Sequence, residues 1–113
     1  MSRRDELIEI YARDLEEITG GPPDRALLRQ VTIACEPAIY DADSAVVAAG
    51  DGAELERVRA GFLVGTLGLP DDDDLMGGIQ KTIRRIGRSE PRKPRVVLYY
   101  LLTREYGKES VFI

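Results

Sequence analysis

The segment Arg95–Tyr106 constrains the fold most, because its run VVLYYLL is apolar on every side. A segment without a polar face must be surrounded by the rest of the chain, whether it is a helix or a strand. Its valine and tyrosine content favours a strand. Its length, the prolines ahead of it, Gly107 behind it and the lack of a second strand pattern favour a helix. We predict a central, buried C-terminal helix.

Capping residues predict where the earlier helices begin. Ser2, Asp24 and Asp51 each precede an apolar stripe with helical spacing, and their side-chain oxygens can accept a hydrogen bond from a first-turn amide. A fourth helix is predicted to begin at the aspartates 71–74, whose charge suits the positive end of a helix. The four stripes are Leu7, Tyr11, Leu15 and Ile18; Leu27, Leu28, Val31 and Ala34; Leu55, Val58, Phe62 and Leu63; and Leu75, Met76, Ile79, Ile83 and Ile86.

These segments predict an all-α fold of about five helices. A chain of 113 residues is the size of one domain. A domain of this size buries roughly two thirds of the surface that its unfolded chain exposes. We therefore expect residues 1–113 to form a single compact domain around the buried C-terminal helix.

Pro37 predicts a break in the second helix. Proline lacks an amide donor and crowds the preceding turn, so this helix is expected to end near Cys35. Cys35 lies among apolar residues and is expected to be a small buried residue and not a reactive thiol. For residues 41–50 we predict at most a short turn of helix, with Asp43 as its cap.

Two glycines of the third helix predict close packing. Gly61 and Gly65 each weaken a helix by about 1 kcal/mol relative to alanine. Such a cost is typical of a close crossing of two helices, where a side chain would clash. In the tail, Phe112 is expected to pack against the core.

Composition excludes several kinds of chemistry. The chain has no histidine and one cysteine, so it cannot form a Ser-His-Asp or Cys-His catalytic site, a histidine metal site or an internal disulfide. An enzyme is the less favoured class, and no cofactor is expected. The first residues carry charges and no apolar signal segment, and no run reaches the roughly 18 apolar residues of a membrane span. We expect a soluble, cytoplasmic protein.

Charge is divided unevenly along the chain. Residues 1–75 hold 7 basic and 17 acidic side chains, whereas residues 76–113 hold 9 basic and 3 acidic ones. Such asymmetry is a hint about partners. The predicted basic surface consists of Arg84, Arg85, Arg88, Arg92, Lys93 and Arg95.

The helix dipole favours a positive charge at some positions of this surface and disfavours it at others. Arg84, Arg85 and Arg88 fall near the negative end of the fourth helix, where the helix dipole favours them. Arg92, Lys93 and Arg95 would crowd the positive end of the last helix, where each costs about 0.3 to 1 kcal/mol when exposed. An opposite charge should compensate, either from the protein's own carboxylates or from a bound anion.

Other sites are less well supported. Nucleic-acid binding by the same surface is a weaker case, because no aromatic residues interleave with the cations to stack bases. A helix-turn-helix reading fails because its second helix would present the VVLYYLL run to base edges. The aspartates 71–74 and those of residues 41–51 do not match a calcium loop, and no metal site is expected. A small-molecule pocket is possible if an acid of residues 41–43 approaches one of four tyrosines, which are Tyr40, Tyr99, Tyr100 and Tyr106.

Three blocks, VTIACEPAIYDADSAVV, FLVGTLGLP and YYLLTREYGKESVF, resemble a family of small bacterial proteins of unknown function. The resemblance runs over nearly the whole chain, and it implies an all-helical single domain. It assigns no catalytic residues.

The sequence therefore predicts a non-catalytic interaction module that docks an acidic protein or another anion on its basic surface. The alternatives are a nucleic-acid-associated protein and a small-molecule-binding protein. A homodimer is also open, since an acidic half and a basic half can pair reciprocally across a twofold axis.

Overall fold

Five helices and two short strands make up the described part of the computed structural model, which covers residues 1–72, 74–87 and 92–113, with only the backbone of Arg92. The helices are α1 (Arg3–Thr19), α2 (Arg25–Ala34), α3 (Gly52–Arg57), α4 (Asp74–Ile86) and α5 (Arg95–Glu105), and the strands are β1 (Val46–Ala48) and β2 (Arg92–Pro94). Helix α3 continues as a π-helix over Val58–Thr66, and 3-10 turns cover Ala38–Tyr40 and Glu109–Phe112. The predicted all-α fold is confirmed.

The predicted capping residues begin the helices for which they were proposed. The Ser2 hydroxyl accepts a hydrogen bond from the amide of Asp5 at 3.1 Å, and the Asp24 carboxylate accepts one from the amide of Leu27 at 3.1 Å. Asp51 accepts from the amides of Ala53 and Glu54. Each bond satisfies a first-turn amide that has no partner within its helix.

Helix α5 lies in the core, as its apolar run predicts. Val96, Leu98 and Leu102 are fully buried, and α1, α2 and α4 all pack against the helix. The strand alternative for this segment is wrong. The tail prediction is confirmed, since Phe112 is half-buried against the core.

The region between α2 and α3 confirms two predictions and corrects a third. Helix α2 ends at Ala34 ahead of Pro37, as expected. Cys35 is buried, and burial raises the pKa of its thiol to about 12. The helical turn expected for residues 41–50 is limited to one hydrogen-bonded turn, in which the amide of Ala45 donates to the carbonyl of Asp41 at 2.8 Å. The predicted cap is wrong, because the Asp41 carboxylate accepts the amide of Asp43 there, and Val46–Ala48 form strand β1.

A two-stranded antiparallel ladder was not expected. Strand β1 pairs with β2, with Val47 opposite Lys93. Val47 is fully buried, so the ladder places a β-branched side chain in the core. Each strand has only three residues, which is too few for an alternating pattern to be recognised in the sequence. The ladder also fixes the approach of the chain to α5, because the amide of Arg95 donates to the carbonyl of Ala45 at 2.9 Å.

The close helix crossing predicted at Gly61 and Gly65 is wrong. A Cβ atom at Gly61 would have no neighbour within 4 Å, and both glycines are exposed. They lie in the π-helix instead, where the amide of Leu67 reaches back five residues to the carbonyl of Phe62 at 2.8 Å. The glycines accompany this widened turn and do not make room for another helix.

A close approach involving glycine occurs on α4. A Cβ atom at Gly78 would lie 2.0 Å from the hydroxyl oxygen of Tyr106, whereas one at Gly77 would meet nothing within 4 Å. The Tyr106 ring therefore packs directly on the backbone of Gly78. This contact sets how α4 lies against the end of α5.

Alanine at the two adjacent glycines should have different effects. Gly77→Ala should raise the free energy of unfolding by about 1 kcal/mol through helix propensity alone. Gly78→Ala gains the same propensity but must displace the Tyr106 ring, so its protein should be less stable than Gly77→Ala by more than about 1 kcal/mol. Urea denaturation followed by circular dichroism measures both. Equal stabilisation by the two substitutions would contradict the packing of Tyr106 on Gly78.

Within the described residues, no helix combines the length and the apolar character that crossing a lipid bilayer requires.

Candidate functional site

The structure separates the predicted basic surface into two parts. Arg84 and Arg85 are exposed in the last turn of α4. Lys93 and Arg95 lie at the junction of β2 and α5. Arg88 lies outside the described residues, as does the side chain of Arg92. Of the four remaining cations, only the α4 pair offers exposed side chains.

Arg95 is held by groups of the protein itself. Its guanidinium donates to the carbonyl oxygens of Ser44 at 2.8 Å and Val46 at 3.2 Å. It also donates to the Glu54 carboxylate at 2.6 Å and to the Tyr99 hydroxyl at 3.0 Å. The Arg95 and Glu54 side chains are only 17% and 13% exposed. The compensating charge expected at the start of α5 is therefore internal for Arg95.

The pKa values of this cluster reflect the balance between burial and pairing. Burial opposes ionisation of Glu54, but hydrogen bonds from Arg95 and Arg57 outweigh it and hold the pKa of the carboxyl below its usual value. Burial raises the pKa of the Tyr99 hydroxyl, and Arg95 opposes part of that increase. The cluster thus holds an ionised Arg95–Glu54 pair beside a neutral tyrosine at neutral pH.

Lys93 is also withdrawn from the surface. Its side chain is 3% exposed on the strand that pairs with β1. A cation at this depth can present little of its charge to a partner. Together with Arg95, it belongs to the packing around the β ladder.

The cavity beside Arg95 does not have the features of the predicted small-molecule site. It measures about 360 Å³ and is lined by Asp43, Asp51, Glu54 and Arg95 among others. Asp51 caps α3 and Glu54 is paired with Arg95, so two of its three carboxylates have structural roles. Its lining contains no tyrosine among the described residues, so the expected meeting of an acid with a tyrosine does not occur there. No group of three or more acidic or cysteine side chains in the described ranges could hold a metal ion.

A second cavity brings cations together from two helices. It measures about 170 Å³ and is lined by Arg85 of α4, by Tyr100 and Arg104 of α5, and by Thr19 and residues 22–24 of the α1–α2 connection. We call it the basic pocket. It places Arg85 opposite a cation, Arg104, which the sequence did not single out.

Antiparallel packing of α4 and α5 creates this arrangement. Gly78 lies against Tyr106, and the Lys81 ammonium lies 3.1 Å from the Glu105 carboxylate. Because the helices are antiparallel, each later turn of α4 lies beside an earlier turn of α5. Arg85 reaches the same cavity as Arg104 for this reason.

The hydrogen bonding of the pocket leaves donors available. Among the described residues, Arg85 has no acidic partner, and Arg104 forms a half-exposed ion pair with Glu109 at 3.7 Å, which is too long for a hydrogen bond. Asp24 lines the pocket, but its carboxylate caps α2. The Tyr100 hydroxyl accepts a hydrogen bond from the Asp24 amide at 2.8 Å. The pocket is thus a concave site with two guanidinium groups and one carboxylate that is already engaged.

One half of this pocket could be recognised from the sequence. Arg85 was part of the predicted basic surface, and Tyr100 was among the tyrosines considered for a pocket. Arg104 was missed because it stands alone in sequence beyond the apolar run of α5. An antiparallel pairing of the last two helices, argued from the short connection between them, would have suggested the meeting of Arg85 with Arg104.

Fold and pocket together define a small all-α protein with a cationic cavity between its last two long helices. The model of the family described as a protein of unknown function, DUF2853, matches residues 10–110, and the chain belongs to this family. The resemblance to an uncharacterised family is confirmed. A search of curated proteins gave no match.

Proposed function

We propose that the protein is a non-catalytic interaction module that binds an acidic or anionic partner at the basic pocket and the adjoining Arg84. One observation carries this proposal. The guanidinium groups of Arg85 and Arg104 reach one cavity from different helices; Arg85 has no acidic partner among the described residues, and Arg104 has only a long, half-exposed ion pair with Glu109. Arginine suits such a role because its planar group can donate two parallel hydrogen bonds to one carboxylate or phosphate.

The structure favours a narrower surface than the sequence did. Arg95 and Lys93 are committed to the interior, so the proposal assigns them no contact with a partner. Nucleic acid is less well supported than an acidic protein, because Tyr100 is 4% exposed and cannot stack on a base. We place the module in the cytoplasm, where a buried single thiol needs no disulfide partner.

Binding of a fluorescent decaglutamate peptide at low salt tests the proposal. Replacing Arg85 and Arg104 with serine together should weaken binding by about tenfold or more, because each lost charge-assisted hydrogen bond is worth about 1.5 kcal/mol or more. The matched control replaces Arg13 and Arg57, two exposed arginines elsewhere, and removes the same charge. Fluorescence anisotropy measures the affinities.

Two outcomes would oppose the proposal. Equal weakening by both double variants would show that only net charge matters and that the basic pocket is not a site. Tighter binding of a single-stranded oligonucleotide of equal charge, again dependent on Arg85 and Arg104, would favour the nucleic-acid alternative.

A further inference from the structure

The donors around the basic pocket point to one kind of anionic group. Tyr100 is buried, and its hydroxyl oxygen already accepts the amide of Asp24 at 2.8 Å. A tyrosine hydroxyl has one proton to donate, and no described residue accepts it. The pocket therefore combines two guanidinium groups with a hydroxyl that is left to act as a donor.

This combination selects for an acceptor with several oxygens. A carboxylate has two oxygens and one charge, which one arginine can satisfy in a bidentate pair. A phosphoryl group carries about two charges at neutral pH and three terminal oxygens, so it can accept from Arg85, Arg104 and Tyr100 together. The cavity of about 170 Å³ is sufficient for such a group and is too small for a nucleoside.

Resting on the proposed function, we infer that the basic pocket binds a phosphorylated side chain of an acidic protein segment. Tyr100 is the residue that distinguishes phosphoryl from carboxylate, because it supplies the third donor. Its orientation is fixed by the bond from the Asp24 amide, which ties the α1–α2 connection to α5. The rigid residues Pro22 and Pro23 line the same cavity.

Two decapeptides test this inference, one of glutamates with a central phosphoserine and one with glutamate at that position. The wild-type protein should bind the phosphoserine peptide at least about tenfold more tightly. Its preference should fall as the pH is lowered through about 6, where the phosphoryl group gains a proton. Inorganic phosphate should displace the peptide at concentrations where acetate of equal ionic strength does not.

The Tyr100→Phe variant isolates the hydroxyl. It should lose most of the preference for phosphoserine, measured as the ratio of its affinities for the two peptides, so that any weakening common to both peptides cancels. Tyr99→Phe is the matched control. It removes a tyrosine hydroxyl that accepts a hydrogen bond from Arg95 and does not line the basic pocket, so this variant should keep the preference. Urea denaturation confirms that both variants are folded.

The outcomes separate this inference from the proposed function. Equal affinity of the wild type for the two peptides would overturn the inference, and so would a preference that survives Tyr100→Phe. In either case, glutamate-peptide binding that depends on Arg85 and Arg104 would leave the proposed function standing. If neither peptide binds, both are wrong.

Discussion

Replacing Arg95 with alanine is expected to lower the free energy of unfolding by about 2 to 4 kcal/mol, because removing one partner of a largely buried ion pair leaves the other with only an exposed cation, Arg57, to offset its burial. Glu54, whose side chain is 13% exposed, would lose its closest cation. The carbonyls of Ser44 and Val46 would also lose a charged donor. Urea denaturation at pH 7, followed by circular dichroism, measures the change.

Arg57→Ala is the matched control for this experiment. Arg57 also pairs with Glu54, at 2.8 Å, but its side chain is 67% exposed. Exposed pairs of this kind contribute about 0 to 1 kcal/mol. Equal effects of the two substitutions would contradict the internal role of Arg95.

The loss of stability caused by Arg95→Ala should depend on pH, because Glu54 must be ionised to pair with Arg95. The pKa of Glu54 is lower in the folded protein than its ordinary value of 4.5. The stabilisation by the pair is therefore present above that value and is lost as the pH falls through the folded pKa. The stability difference between wild type and Arg95→Ala should shrink in acid.

Phe62→Ala is expected to lower the free energy of unfolding by about 3 to 5 kcal/mol, as truncation of a buried phenylalanine leaves a cavity. Phe62 is buried on the π-helix, and its ring stacks on that of Tyr99 with centroids 3.8 Å apart. Loss of this contact would also loosen the ring that holds the Arg95 guanidinium. Thermal unfolding and urea denaturation measure the effect.

Phe112→Ala supplies the comparison, because it removes the same side chain from a half-buried position in the tail. Its effect should be less than half of that at Phe62, since less apolar area returns to water. If Phe112 proved the more destabilising of the two, the π-helix would not be a structural part of the core.

The parts of the fold that depend on local chemistry could be predicted from the sequence. Ser2, Asp24 and Asp51 cap helices because their side chains reach amides two or three residues away, and no distant contact is needed. The burial of α5 follows from its uniformly apolar run. The β ladder and the π-helix could not be predicted, because the ladder joins residues about 46 positions apart and the π-helix has no distinctive spacing.

The candidate site shows the same division. A cluster of cations in sequence identified Arg84 and Arg85, but it also included Arg95, whose partner Glu54 lies 41 residues away. Arg104 joins Arg85 only through the packing of α4 on α5. Sequence charge located the basic half of the chain, and tertiary contacts determined which of its described arginines are available.

That availability is best measured by nuclear magnetic resonance of the arginine Nε–Hε groups while inorganic phosphate is added to the wild-type protein. The signals of Arg85 and Arg104 should shift and saturate, and the signal of Arg95, whose Nε donates to the Ser44 carbonyl, should stay in place. A shift of the Arg95 signal with Arg85 and Arg104 unchanged would contradict the division between a largely buried, internally paired arginine and two exposed arginines that can bind an added anion.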